Sequence, residues 1–130
     1  MRPLLTLGAV AFVAIVSVAC TTQPIMNVND AIVTAGPGKT VTKDQVRAAI
    51  VRAGGALGWQ MRDESPDQLS ATLVLRGHTA VVDIPYSDKS YSIKYRSSVN
   101  LNESGGSIHK NYNGWVQNLT RNINTQLSLL

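Results

Sequence analysis

One cysteine, Cys20, is all this chain contains, so there is no second thiol for it to pair with. Without a disulfide, whatever part of the chain folds must be stabilised by its apolar core alone. Nitrogen ligands are as scarce. His78 and His109 are the two histidines, and neither stands in zinc-type spacing to further ligands. No metal or cofactor is expected from these residues. There is no Gly-x-Ser-x-Gly elbow and no glycine-rich phosphate loop after a strand. His78 and Asp83 fall on one expected strand at odd spacing, hence on opposite faces, which does not favour a catalytic dyad. The expectation is a protein that is not an enzyme. Acids also run out along the chain. After Asp88 the one acid is Glu103, against Lys89, Lys94, Arg96, Lys110 and Arg121, so the net charge of +4 is concentrated in the C-terminal third. Such a surface suits anionic lipid head groups, a glycan or an acidic partner, or is simply a solvated face. Its cations form no dense stripe, so nucleic acid is not an expected partner.

What is present begins with the leader. Arg2 precedes an uncharged run, Leu4 to Ala19, of the length of a signal-peptide apolar region. The run falls short of the ~20 apolar residues of a spanning helix. Ser17-Val18-Ala19-Cys20 resembles the lipobox of bacterial lipoproteins, although Ser17 stands where that family usually has Leu, Val or Ile. The resemblance implies cleavage before Cys20, a diacylglyceryl group on its thiol and an acylated amino group, with membrane lipid as the first partner. Two or three acyl chains anchor a protein stably where one does not. By the same resemblance Thr21, not being Asp, implies the outer membrane facing the periplasm in a Gram-negative cell, and the outer face of the plasma membrane in a Gram-positive one. An ordinary secretory leader with an unrelated cysteine, or an uncleaved anchor, remains an alternative reading of these residues.

The expected organisation is a signal peptide over 1–19, a lipidated tether over 20–40 and one α+β domain over 41–130. Gln23-Pro24, Asn27 to Asp30 and Gly36-Pro37-Gly38 interrupt any periodicity in the tether, with Ala31 to Val33 as a possible short edge strand. Thr42 and Gln45 have capping-box spacing, with Val41 and Val46 as a hydrophobic staple. Val46, Ala49, Ile50 and Ala53 share a helical face that Gly54-Gly55 should close. The pattern then changes to period two. Leu57, Trp59 and Met61 alternate with small or polar residues; so do Leu69 to Leu75, then Ala80, Val82 and Ile84, then Tyr91, Ile93 and Tyr95. Turn residues at 64–67, 76–78 and 87–89 separate these runs, and Val99 and Leu101 are a possible extension of the last. A final helix is expected from about Asn113, its face marked by Trp115, Val116, Leu119, Ile123 and Leu127.

The fold class expected is α+β, a four-stranded antiparallel meander with two helices on one face, in the order α-β-β-β-β-α. Its core should contain Val46, Ile50, Trp59, Leu73, Val82, Ile93, Trp115, Leu119 and Ile123. The domain resembles a group of small uncharacterised proteobacterial lipoproteins. The stretches that carry this are Gln45 to Ile50, Leu57-Gly58-Trp59, His78 to Tyr86, Tyr91 to Tyr95 and Ile108 to Trp115. The resemblance implies a cell-envelope location and no activity. The candidate binding surface is Tyr86, Lys94, Tyr95, Arg96, His109, Lys110, Tyr112 and Trp115, where aromatic rings beside cations suit a glycan or an envelope protein. The alternative is a small-ligand module with a pocket between sheet and helices.

Overall fold

The computed structural model describes residues 3–4, 8–13 and 21–130. Cys20 and most of the expected leader lie outside the described residues. The elements in chain order are β1 (Thr22–Pro24), β2 (Val28–Ile32), α1 (Lys43–Ala56), β3 (Gln60–Ser65), β4 (Gln68–Leu75), β5 (His78–Pro85), β6 (Ser90–Val99), β7 (Ser107–His109) and α2 (Lys110–Ser128). No described helix is long and apolar enough to cross a membrane.

Helix α1 starts where the local sequence sets it. Thr42 Oγ1 accepts from Gln45 N–H at 3.2 Å, and Gln45 Oε1 accepts from Thr42 N–H at 2.9 Å, a complete capping box. Thr42→Ala removes that cap and is expected to cost about 1 kcal/mol, read as a lower urea midpoint. The helix does not stop at Gly54-Gly55. It runs on to Ala56 and closes in a Schellman motif, with Trp59 N–H on Gly54 O and Gly58 N–H on Gly55 O. Gly58, at φ 88°, is the residue that takes the left-handed conformation. Gly54 has a different use, since a Cβ there would overlap Met61 Sδ on β3.

Period-two alternation with turns of two residues (β3–β4, β4–β5) and four residues (β5–β6) produces the meander β3-β4-β5-β6, every pairing antiparallel. The sheet nonetheless has five strands, not four, in the order β2-β6-β5-β4-β3. The added edge strand β2 pairs with β6 and comes from the segment expected as a tether. Its alternation is broken by a bulge between Val28 and Ala31, with Asp30 at φ 49° and its N–H on Ser92 Oγ, so its first residues read locally as loop and only Ala31 and Ile32 fall in the edge strand expected over Ala31 to Val33. A second, two-stranded sheet joins β1 to β7. Both strands are three residues long, too short to carry a periodic signal.

The two helices cover one face of the large sheet. Val46, Ala49, Ile50 and Ala53 of α1 and Val116, Leu119, Ile123 and Leu127 of α2 meet Leu69, Ala71, Val82, Ile84, Tyr91 and Ile93 in one core. Trp115, expected inside, is only half-buried. The cause is where α2 begins. Its N-cap is His109, whose Nδ1 accepts from Asn111 N–H at 3.1 Å, so the buried line starts at Tyr112 and Trp115 falls on the flank. Asn113 is not the cap. It is buried in the first turn and holds β1 from there.

A bulge in β6 also changes which way the strand faces. Val82 pairs with Tyr95 but Val81 pairs with Ser97, leaving Arg96 as the extra residue. Beyond it the alternation inverts, so Ser98 sits opposite buried Ala80 and Val99 turns outward.

Candidate functional site

The eight residues expected as one surface are distributed over three places. Tyr86 is buried at the end of the sheet where α1 begins. Its hydroxyl donates to Pro66 O at 3.2 Å, and Lys43, ion-paired with Asp67, lies 5.7 Å from its ring centroid. Lys94 joins Tyr86 in lining a shallow hollow there. Arg96 lies on the outer, helix-free face of the sheet, where it pairs with Glu64 at 2.9 Å and Asp83 at 3.3 Å. The guanidinium hydrogen bond holds the Glu64 carboxyl below the usual carboxylate range. Arg47 does the same to Asp63 across 2.7 Å, from α1 to β3. These cations are already partnered within the fold.

The remaining four residues and Tyr95 gather around the start of α2. Tyr112 is fully buried and meets Tyr95 edge-to-face, ring centroids 5.6 Å apart. Tyr95 is half-buried, its hydroxyl 2.9 Å from Ser98 Oγ. His109 caps the helix, Lys110 is exposed beside it, and Trp115 stands one turn further on. Both histidines are occupied by backbone. His78 Nδ1 is 2.7 Å from Asn100 O, which can only accept, so that nitrogen carries the proton. Among the described residues no three His, Cys, Asp or Glu side chains come together.

Around Trp115 the surface is concave. An apolar groove of about 210 Å³ lies between the C-terminal end of α1, the end of β4 and α2. Leu57, Trp59, Leu73, Leu75 and Trp115 line it, with Asn118 at its rim. Trp115 and Asn118 also belong to a wider polar hollow of about 420 Å³ along the first turns of α2, with Gln23, Lys110, Asn111 and Gln117. A third hollow continues along the helix past Arg121 and Thr125. The helix has no acidic residue and is rich in Asn and Gln. Its exposed strip therefore offers neutral donors and acceptors in pairs, one of each on every amide, beside an aromatic face. Asn118 Oδ1 accepts from Arg121 at 3.0 Å, which holds the amide in place and leaves its NH₂ outward.

Gln117, Asn118, Leu57 and Leu75 were not among the candidate site residues expected from the sequence. The acid-free, amide-rich composition of 110–128 was a readable signal for the first two. The other two come together only when β4 and α1 end at the same place. No family model matches this chain, and no curated protein matches it.

Proposed function

We propose that this protein is a lipid-anchored envelope lipoprotein whose domain is a non-enzymatic binding module, and that the module takes a neutral glycan of the envelope along the exposed strip of α2. The anchor is the acylated Cys20. The location is the outer membrane facing the periplasm if the cell is Gram-negative. The observation that carries the binding half is the amide strip beside Trp115. Asn and Gln side chains pair with vicinal hydroxyls, and an indole face stacks on the apolar face of a sugar ring. The paired state of Arg96 and the burial of Tyr86 and Tyr112 favour this strip over the wider surface expected from the sequence.

The test is co-sedimentation of the full-length protein in lipid vesicles with purified envelope polysaccharide. Gln117→Ala with Asn118→Ala removes two hydrogen-bonding groups worth about 1 kcal/mol each, so retention should fall about tenfold or more. Lys94→Ala, on the opposite face, should leave it unchanged. Equal loss in both variants would remove the strip from the account. A wild-type protein that retains a dominant protein partner and no polysaccharide would replace the glycan with that protein.

The second reading is a small-ligand module, favoured by the apolar groove and its two indoles. A soluble apolar ligand that shifts tryptophan emission at saturable concentration would support it.

A further inference from the structure

The folded domain exposes few large apolar side chains, and most of them share one end. Val74 is 61 % exposed and Val99 56 % exposed; Leu57 and Leu75 are exposed beside them. Val74 pairs with Thr79 across β4 and β5, and Thr79 pairs with Val99 across β5 and β6, so the two valines flank one threonine in a cross-strand row. Val99 reaches that row because the Arg96 bulge inverted the strand. Leu75 and Leu57 continue the apolar surface into the groove below Trp115. Elsewhere on the domain the described exposed large apolar residues are Ile32 and Leu129.

The chain enters the domain at this same end. Thr21 O accepts from Lys110 N–H at 2.9 Å, and Thr22 pairs with His109. His109 N–H donates to Leu101 O, two residues beyond Val99. Asn100 bridges back to the β4–β5 turn, through its carbonyl to His78 and its amide to Gly77 O. The His78 ring stands 6.5 Å from the Trp115 ring. Cys20 is one peptide unit from Thr21, a Cα–Cα step of about 3.8 Å. Its acyl chains therefore have no tether's length between them and the domain.

We propose that this end of the domain, the Val74–Thr79–Val99 row with Leu75 and Leu57, lies on the lipid surface that holds Cys20. The inference rests on the lipid-anchor reading above. Lipid is the occupant because the anchor leaves from the edge of the patch and keeps the two together at high effective concentration. Arg76 and Lys110 are exposed there without ion pairs among the described residues, which suits anionic head groups, against Glu103 as the nearby acid. Lipid then covers the Leu57 and Leu75 side of the apolar groove, and the amide strip with Trp115, which leads away along α2, stays open to a glycan.

The test uses full-length protein in vesicles of phosphatidylethanolamine and phosphatidylglycerol. Acylation of Cys20 consumes its thiol, so Val99→Cys or Lys89→Cys supplies the one site for a nitroxide. Both replace exposed residues, and Lys89 lies at the opposite end of β6. Collision with a water-soluble nickel chelate should be several-fold lower at position 99 than at 89, and adding Val74→Glu to the Val99→Cys protein should abolish the difference. Equal collision rates in protein that mass spectrometry shows to be acylated would overturn the docking and leave the anchor standing. Absence of acyl chains on Cys20 would overturn both. Shielding of position 99 that grows with protein density at fixed lipid would overturn it in favour of a second copy of this chain.

Discussion

Asn113→Ala is expected to cost about 2–4 kcal/mol and to release β1 from the domain. The residue is 8 % exposed and makes three hydrogen bonds to the entering chain. Its Oδ1 accepts from Met26 N–H at 3.0 Å; its Nδ2 donates to Pro24 O at 2.9 Å and to Gln23 Oε1 at 3.3 Å. Alanine leaves the Met26 N–H and the Pro24 carbonyl, in part-buried bonds, without partners, at about 2–4 kcal/mol in all unless the strand lifts into water. Lifting forfeits the β1–β7 pairing and the Ile25 N–H bond to Gly106 O as well. Urea denaturation reads the stability, and hydrogen exchange at Ile25, Met26 and Lys110 reads the release. Gln23→Ala, which removes only the longest of the three bonds, should stay within about 0.5 kcal/mol of wild type. Protection that persists at those three amides in Asn113→Ala would mean the strand is held by its ladder alone. On the proposed anchor the released segment would become a flexible tether, and the proposed orientation on lipid would be lost.

Between pH 10 and 12 the domain is expected to lose several kcal/mol through its buried phenols, with Tyr91 and Tyr112 the largest contributors and Tyr86, also raised by burial, a smaller one. Burial pushes Tyr91 up to about 12 and pushes Tyr112 up as well, with the nearby Tyr95 adding to the latter. In the unfolded chain both titrate near ~10. Below that pH neither ionises in either state, so their contribution to stability is fully present. As pH rises further the unfolded state gives up protons that the folded state keeps, and stability falls by about 1.4 kcal/mol per pH unit for each tyrosine. Such a loss is comparable with the whole stability of many domains. Tyr91 donates to Asn124 Oδ1 at 2.7 Å, whereas the Tyr112 hydroxyl has no partner among the described residues. Tyr112→Phe should therefore raise stability at neutral pH by about 1 kcal/mol and lower the alkaline slope, leaving the share of Tyr91 and Tyr86. Urea midpoints across this range, with tyrosinate absorbance followed in parallel, check both statements. An unchanged slope in Tyr112→Phe would show that its phenol reaches water in the folded state.

The two neighbours show how far local reading extends. Tyr112 and Asn113 stood in the sequence as a surface aromatic and a helix cap, each sensible on local grounds. Burial of both followed from a helix start at His109, a residue with no strong capping preference. The binding surface fared similarly. Aromatic and basic residues near one another in the chain went to different faces, because Tyr86 closes one end of the sheet while the Arg96 bulge turns its guanidinium to Glu64 and Asp83. Gln117 and Asn118 were legible as composition, but their position beside Trp115 was not.

By itself the sequence determined helix α1, whose capping box and apolar face involve residues within a turn or two of each other. It determined the β3–β6 meander as well, because period two and tight turns need only adjacent strands. Only the tertiary structure decided that Thr22–Pro24 is a strand and that β2 starts at Val28, that the sheet has five members and that an apolar end forms where the chain enters. Those features rest on partners far away in the chain; Asn113 reaches Met26 across 87 positions. A three-residue strand or a bulged one carries no periodic signal of its own, and its hydrogen bonds become available only when the rest of the domain has brought the partner into place.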